Sequence, residues 1–154
     1  MKKKNLEIFL QKTPEFEKPS PLLEQYKTPA DIAADIIFTA YYQGDIKNKG
    51  ILDLGCGTGI FSIGAYLVGA KKVTGIDIDK TGIKIAKKYA EENNFDIEYI
   101  TKDVKDAETK ADTIIMNPPF GAQKGNKKGD RIFIEKGFEL GKIIYSLHLA
   151  ETIP

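Results

Sequence analysis

The chain has no tryptophan, one cysteine, Cys56, and one histidine, His148. A single cysteine can form neither an intrachain disulfide nor a cysteine-based zinc site, as expected of a reducing compartment. Long apolar runs are missing too: none approaches the roughly 18 residues needed to cross a bilayer. The lysine-rich start, Lys2 to Lys4, lacks the apolar stretch of a signal peptide, so the protein is expected in the cytoplasm, with no membrane as partner. Neither sign of charge is in marked excess. A net charge of +1 argues for no partner by itself, and what matters is where the positive charges sit. They gather in two places, Lys2 to Lys4 and Lys124, Lys127, Lys128 and Arg131. Either group can be a solvated tail or loop, or a contact for phosphates.

What remains is an ordinary globular composition, 42% apolar and 29% charged over 154 residues, enough for one core. Five short β-rich runs, "GILDLG" (50–55), "KKVTGID" (71–77), "DIEYIT" (96–101), "ADTIIMN" (111–117) and "KIIYSLH" (142–148), alternate with helical patterns at 58–68, 80–93 and 131–141. Asp79 and Asp130 are candidate N-caps, and Phe133, Gly137 and Leu140 share a face of the third helix. Near-continuously apolar strands separated by helices imply a parallel sheet covered on both faces, an α/β doubly wound, Rossmann-like fold. Before the sheet, Thr28, Pro29 and Asp31 read as a capping-box-like start of a helix that turns Ile32, Ile36, Ile37 and Ala40 inward. Residues 1–27 read as extended or loosely helical. The whole chain, 1–154, is expected to be one domain, an N-terminal helical segment (1–48) and the Rossmann-like core (49–154).

Two motifs carry chemistry. "DLGCGTG", Asp53 to Gly59, ends the first strand and opens a helix, with glycines that let the backbone turn tightly against a ligand. The dinucleotide fingerprint would need a third glycine at position 60, where the residue is Ile60. Asp77 lies 22 residues after Gly55, at the end of the second strand, where a carboxylate can accept both hydroxyls of a ribose. A glycine turn and a ribose acid without the diphosphate fingerprint suit an adenosine cofactor that lacks phosphates, S-adenosylmethionine. Asp103, after the third strand, is placed either to bond the adenine amine or to cap a turn.

The second motif, "NPPF", follows the fourth strand. The Asn117 side-chain oxygen and the Pro118 carbonyl can accept the two protons of an exocyclic amine, with Pro119 fixing the turn and Phe120 stacking on the base. An aromatic amine is a poor nucleophile, because its lone pair is delocalised. Two acceptors that hold it pyramidal expose that lone pair to a sulfonium methyl, so no catalytic His or Cys is needed. Cys56 reads as a small packing residue, and His148 as a core residue on a strand. The same two acceptors would suit adenine in RNA or in DNA, guanine or a protein glutamine, and the motif can also be a plain loop breaker.

With these residues in view, the chain resembles the methyltransferase-like-5 family of small-subunit rRNA N6-adenosine methyltransferases, class I S-adenosylmethionine-dependent enzymes. "FEKPSPLLEQYKTPADIAADI", "DLGCGTGIFSIGA", "GIDID", "IIMNPPFGA" and "YSLH" carry the resemblance over nearly the whole length. It implies cofactor contacts from Gln25, Thr28, Gly55, Thr58, Ile60, Asp77 and Asp103, and catalysis from Asn117, Pro118, Pro119 and Phe120. Lys124, Lys127 and Lys128 would meet substrate phosphates. It also implies a small zinc-binding activator subunit on the edge of the third strand. Such enzymes continue into a two-strand hairpin against the fifth strand, which the sequence to Pro154 lacks. An open fifth-strand edge is then expected to favour self-association, and a non-catalytic module binding cofactor or RNA is the alternative reading.

Overall fold

The computed structural model describes residues 1–17, 27–118 and 129–147. Five strands form one wholly parallel sheet: β1 (Gly50–Leu54), β2 (Lys72–Asp77), β3 (Glu98–Thr101), β4 (Ala111–Met116) and β5 (Gly141–Ser146). Their order is β3-β2-β1-β4-β5, so strand order reverses between β1 and β4. This is the expected doubly wound arrangement, and sheets of this kind bind ligands at the carboxyl ends of the two strands where the order reverses.

Among the described residues five helices cover the sheet: α1 (Lys3–Gln11), α2 (Ala30–Tyr42), α3 (Ile60–Leu67), α4 (Lys80–Glu92) and α5 (Gly129–Leu140). Alternation along the strands divides the core. Ile51, Val73 and Ile115 face α1, α2 and α3, whereas Leu52, Leu54, Ile114 and Met116 face α5. Ile83, Ala86 and Ala90 of α4 close over Tyr99 of β3. Gly137 lets α5 settle on Ile144 and Met116, where an added methyl would lie 3.1 Å from Ile144. None of the described helices is long and apolar enough to cross a membrane.

Four local expectations are corrected. The N-terminal segment holds a regular helix, α1, whose Leu6 and Leu10 are fully buried against α2 and α3. Their i, i+4 spacing supplies the stripe that the neighbouring lysines obscure. In α2 the innermost residues are Ala33, Ala34, Ile37, Phe38 and Ala40, with Ile32 and Ile36 only half-buried. Its N-cap is Pro29, whose side chain has no acceptor to cap with, and the Thr28 hydroxyl instead accepts from Asn117. Asp79 does cap α4, accepting from the amides of Thr81 and Gly82 at 3.1 and 3.2 Å. Asp130 instead falls inside the first turn of α5, which begins at Gly129.

Candidate active site

Leu54 and Met116 are paired across β1 and β4, so the glycine loop and Asn117 leave the sheet side by side. The amides of Gly55 and Cys56 both donate to the Ile76 carbonyl, at 2.8 and 2.9 Å, which folds the loop back over β2. Gly57 and Gly59 stand at φ +56° and +97°, in the left-handed region that side chains rarely adopt. Gly59 is the N-cap of α3, so the loop presents the start of that helix toward the crevice.

Asp77 braces this loop. One carboxylate oxygen accepts the Gly57 amide at 2.8 Å and the other the Asp79 amide at 2.9 Å. Burial raises its pKa, and those two amides act against the rise. The amide of Ile78 also acts on the carboxylate, which with four lone pairs on its two oxygens can still accept a ribose hydroxyl. Beside it Ile78 leaves 54% of its surface exposed, an apolar platform next to an acid. The Asp-Ile-Asp run at the end of β2 carried that signal, a large aliphatic residue where the strand gives way to polar cap residues.

The Asn117 amide nitrogen donates to the Thr28 hydroxyl at 2.9 Å across 89 residues of sequence. Its side-chain oxygen is buried and has no partner. Thr28, itself buried, thus turns the amide so that an acceptor is left over at the end of β4. The N-terminal segment and the Asn-Pro motif, far apart in sequence, meet here.

Other expected positions have additional partners. The Thr58 hydroxyl donates to the Pro14 carbonyl at 2.9 Å, and Ile60 is buried at the start of α3. The side chains of these two positions are thus both turned to the protein's own interior. Asp103 accepts the Lys105 amide at 3.0 Å and caps the short 3-10 turn Val104–Asp106, with one carboxylate oxygen doing so. Gly55 packs under Phe133 of α5. Burial raises the pKa of the Cys56 thiol well above its usual range, which suits packing and not nucleophilic chemistry. Gln25, Pro119, Phe120, Lys124, Lys127, Lys128 and His148 lie outside the described residues.

Asp53 opens the glycine motif, but the sequence reading gave it no role of its own. One of its oxygens accepts the Ser62 amide at 3.0 Å and the Ser62 hydroxyl at 2.5 Å, and the other is buried without a partner. A carboxylate inside an otherwise apolar strand was the available signal. Burial lifts its pKa to about 7, against the two bonds from Ser62. The folded value is above the unfolded one, so between pH about 4 and about 7 the native state holds a proton that the unfolded chain has lost. Stability is then fully present below that window and declines as pH rises through it. In Asp53→Asn this decline is expected to flatten, a difference of a few kcal/mol at pH 8 at roughly 1.4 kcal/mol per pKa unit. Urea unfolding at pH 5 and pH 8 checks it, and equal pH slopes for the two proteins would refute it.

The profile of the methyltransferase small domain family matches residues 27–139. An rRNA N(6)-adenosine-methyltransferase METTL5 of Danio rerio is 40% identical over 159 residues, covering 99% of this chain and 76% of the relative. The chain belongs to the methyltransferase-like-5 family. An uncharacterized protein of Methanocaldococcus jannaschii is also 40% identical, over 96% of this chain and 71% of its own. The crystal structure of a candidate RNA methyltransferase from Pyrococcus horikoshii superposes with a TM-score of 0.91 at 41% identity, over 96% of this chain and 74% of that one. As a methyltransferase-like-5 protein, the chain has the glycine loop, the acid at the end of β2 and the Asn-Pro turn on one edge of one sheet.

Proposed function

We propose that the chain transfers a methyl group from S-adenosylmethionine to the exocyclic N6 amine of an adenosine in structured RNA, of small-subunit ribosomal origin. The observation that carries this reading is the unpartnered Asn117 side-chain oxygen, aimed by Thr28 and adjacent to the glycine loop. The relatives named as rRNA N6-adenosine methyltransferases support the substrate class.

The residues fit the cofactor. The remaining lone pairs of Asp77 would take ribose hydroxyls, Ile78 offers an apolar surface to the adenine, and Asp103 an acceptor for its amine. Gln25, Thr28, Thr58 and Ile60 complete the set by position. When bound, S-adenosylmethionine supplies an electrophilic methyl on a sulfonium. The chain's own part is to grip the acceptor amine with the Asn117 oxygen and the Pro118 carbonyl, rigidified by Pro119, and to stack the base on Phe120. Holding both amine protons directs the nitrogen lone pair along the transfer line, so orientation and charge stabilisation supply the rate. The base must leave its stack to reach these groups, which favours an unpaired adenosine. Lys124, Lys127 and Lys128 would meet the flanking phosphates.

The reading also includes partners and setting: a single domain over 1–154, cytoplasmic, with a small zinc-binding subunit adding to β3. That strand is an outermost one and fits augmentation by a further strand. On the other edge, β5 leaves Ile143 41% exposed, which favours self-association. The test is incubation with labelled cofactor and RNA, DNA or protein, followed by nucleoside mass spectrometry of the RNA. N6-methyladenosine in small-subunit rRNA is expected. Label in protein glutamine or DNA alone would overturn the assignment.

A further inference from the structure

Tyr99 stands on the outermost strand β3, yet its side chain reaches inward beneath the glycine loop. Asp53, Gly75 and Tyr99 are aligned in register across β1, β2 and β3, so they occupy one row on one face of the sheet. The middle of that row has no side chain. The Tyr99 ring lies across Gly75, where an added methyl would stand 2.7 Å from it and 3.0 Å from the Cys56 sulfur. A methyl on Gly59, the loop residue that opens α3, would collide with the Tyr99 hydroxyl. Gly75 of β2 and Gly59 of the loop thus make room for one tyrosine.

The hydroxyl is buried beside Gly59, in a cluster with Cys56, Ile83, Ala86 and Ala90. Tyr99 is 5% exposed, and its oxygen has no hydrogen-bond partner of good geometry, although Ser62 is close enough to influence its ionisation. Ser62 donates its own hydroxyl to Asp53, so its oxygen lone pairs are free to accept. The unpartnered Asp53 oxygen lies in the same row. A buried donor left unmatched is costly, and a chain from Tyr99 through Ser62 to the Asp53 oxygen that Ser62 already bonds runs in one consistent direction of donation.

We infer that Tyr99 is a positioning residue of the cofactor site: its ring supports the glycine loop from below, and its hydroxyl is the terminal donor of a Tyr99–Ser62–Asp53 chain that fixes the start of α3. The inference deepens the proposed cofactor-binding role. It gives the outer strand a direct mechanical connection to the loop. The titratable groups facing Asp53 are Asp77 from β2, Cys56 from the loop and Tyr99 from β3, with Ser62 from α3 bonded to it. Tyr99 is the one that donates toward the carboxylate.

Tyr99→Phe keeps the ring and removes the donor. By calorimetry its affinity for S-adenosylmethionine is expected to fall about 3- to 10-fold, the scale of one hydrogen bond, with kcat within about twofold at saturating cofactor. In the free protein, losing the terminal donor disfavours ionised Asp53, so the decline in stability with pH should extend to higher pH than in the wild type. Ser62→Ala interrupts the same chain from the helix side and serves should Tyr99→Phe not fold. The double variant is expected to be no worse than the weaker-binding single variant, because both cut one chain. Wild-type affinity together with a wild-type pH profile in the single variants, or effects that add in the double, would overturn the inference. A wild-type chain that binds no cofactor would instead count against the proposed function.

Discussion

Asn117→Ala is expected to lower methyl transfer by about 10² or more, by analogy with removing one preorganised polar group from a transition-state site. Cofactor affinity should change by less than about twofold, because the amide meets the acceptor amine and not the adenosine of the cofactor. The geometry makes the prediction specific. The nitrogen of Asn117 is already committed to Thr28, so the loss falls on its free oxygen, the group that would take an amine proton. Thr28→Val is the companion. It leaves the Asn117 oxygen in place but removes what orients it, and it should lower kcat by a smaller factor, about tenfold, the scale of one hydrogen bond. Single-turnover rates with saturating cofactor and RNA separate the two. Full activity in Asn117→Ala would remove this residue from the chemistry.

Asp77→Ala should act on the cofactor and not on the amine. A loss of about 1.5 to 3 kcal/mol in affinity is expected for hydrogen bonds to a charged group, or roughly 10- to 150-fold. Two effects combine in it. The ribose loses its acceptor, and the amides of Gly57 and Asp79 lose theirs, so the glycine loop is no longer tied to the end of β2. Asp77→Asn distinguishes them, since its amide oxygen can keep only one of these backbone bonds while its nitrogen donates. Its loss should lie between wild type and alanine. Calorimetry that returns wild-type affinity for a folded Asp77→Ala would contradict the site.

The sheet was legible because its strands are short apolar runs punctuated by glycine and asparagine, and because right-handed crossovers leave few ways to order them. Motif spacing was enough to bring Asp77 to the glycine loop and Asn117 to the same edge. The parts that were not legible are those decided by distant contacts. Leu6 and Leu10 are a stripe only once α2 and α3 are there to bury them, and the lysines around them pointed to a solvated tail. Thr28 looked like a local helix cap, yet its hydroxyl serves Asn117 across the fold. Asp103 could be read as a turn cap or a ligand group, and the cap is present. Tyr99 sat unremarked in "DIEYIT", because nothing in a strand pattern says that the neighbouring strand will offer it a glycine to lie across.

The central claim is that a gripped exocyclic amine on adenine receives the methyl group. Once nucleoside mass spectrometry has mapped the acceptor position in small-subunit rRNA, an RNA fragment spanning it can be made with adenosine or inosine at that nucleotide. Labelled methyl should enter the adenosine RNA and be recovered as N6-methyladenosine, while the inosine RNA, which lacks the amine, takes up none. Equal transfer to the inosine RNA would contradict the assignment.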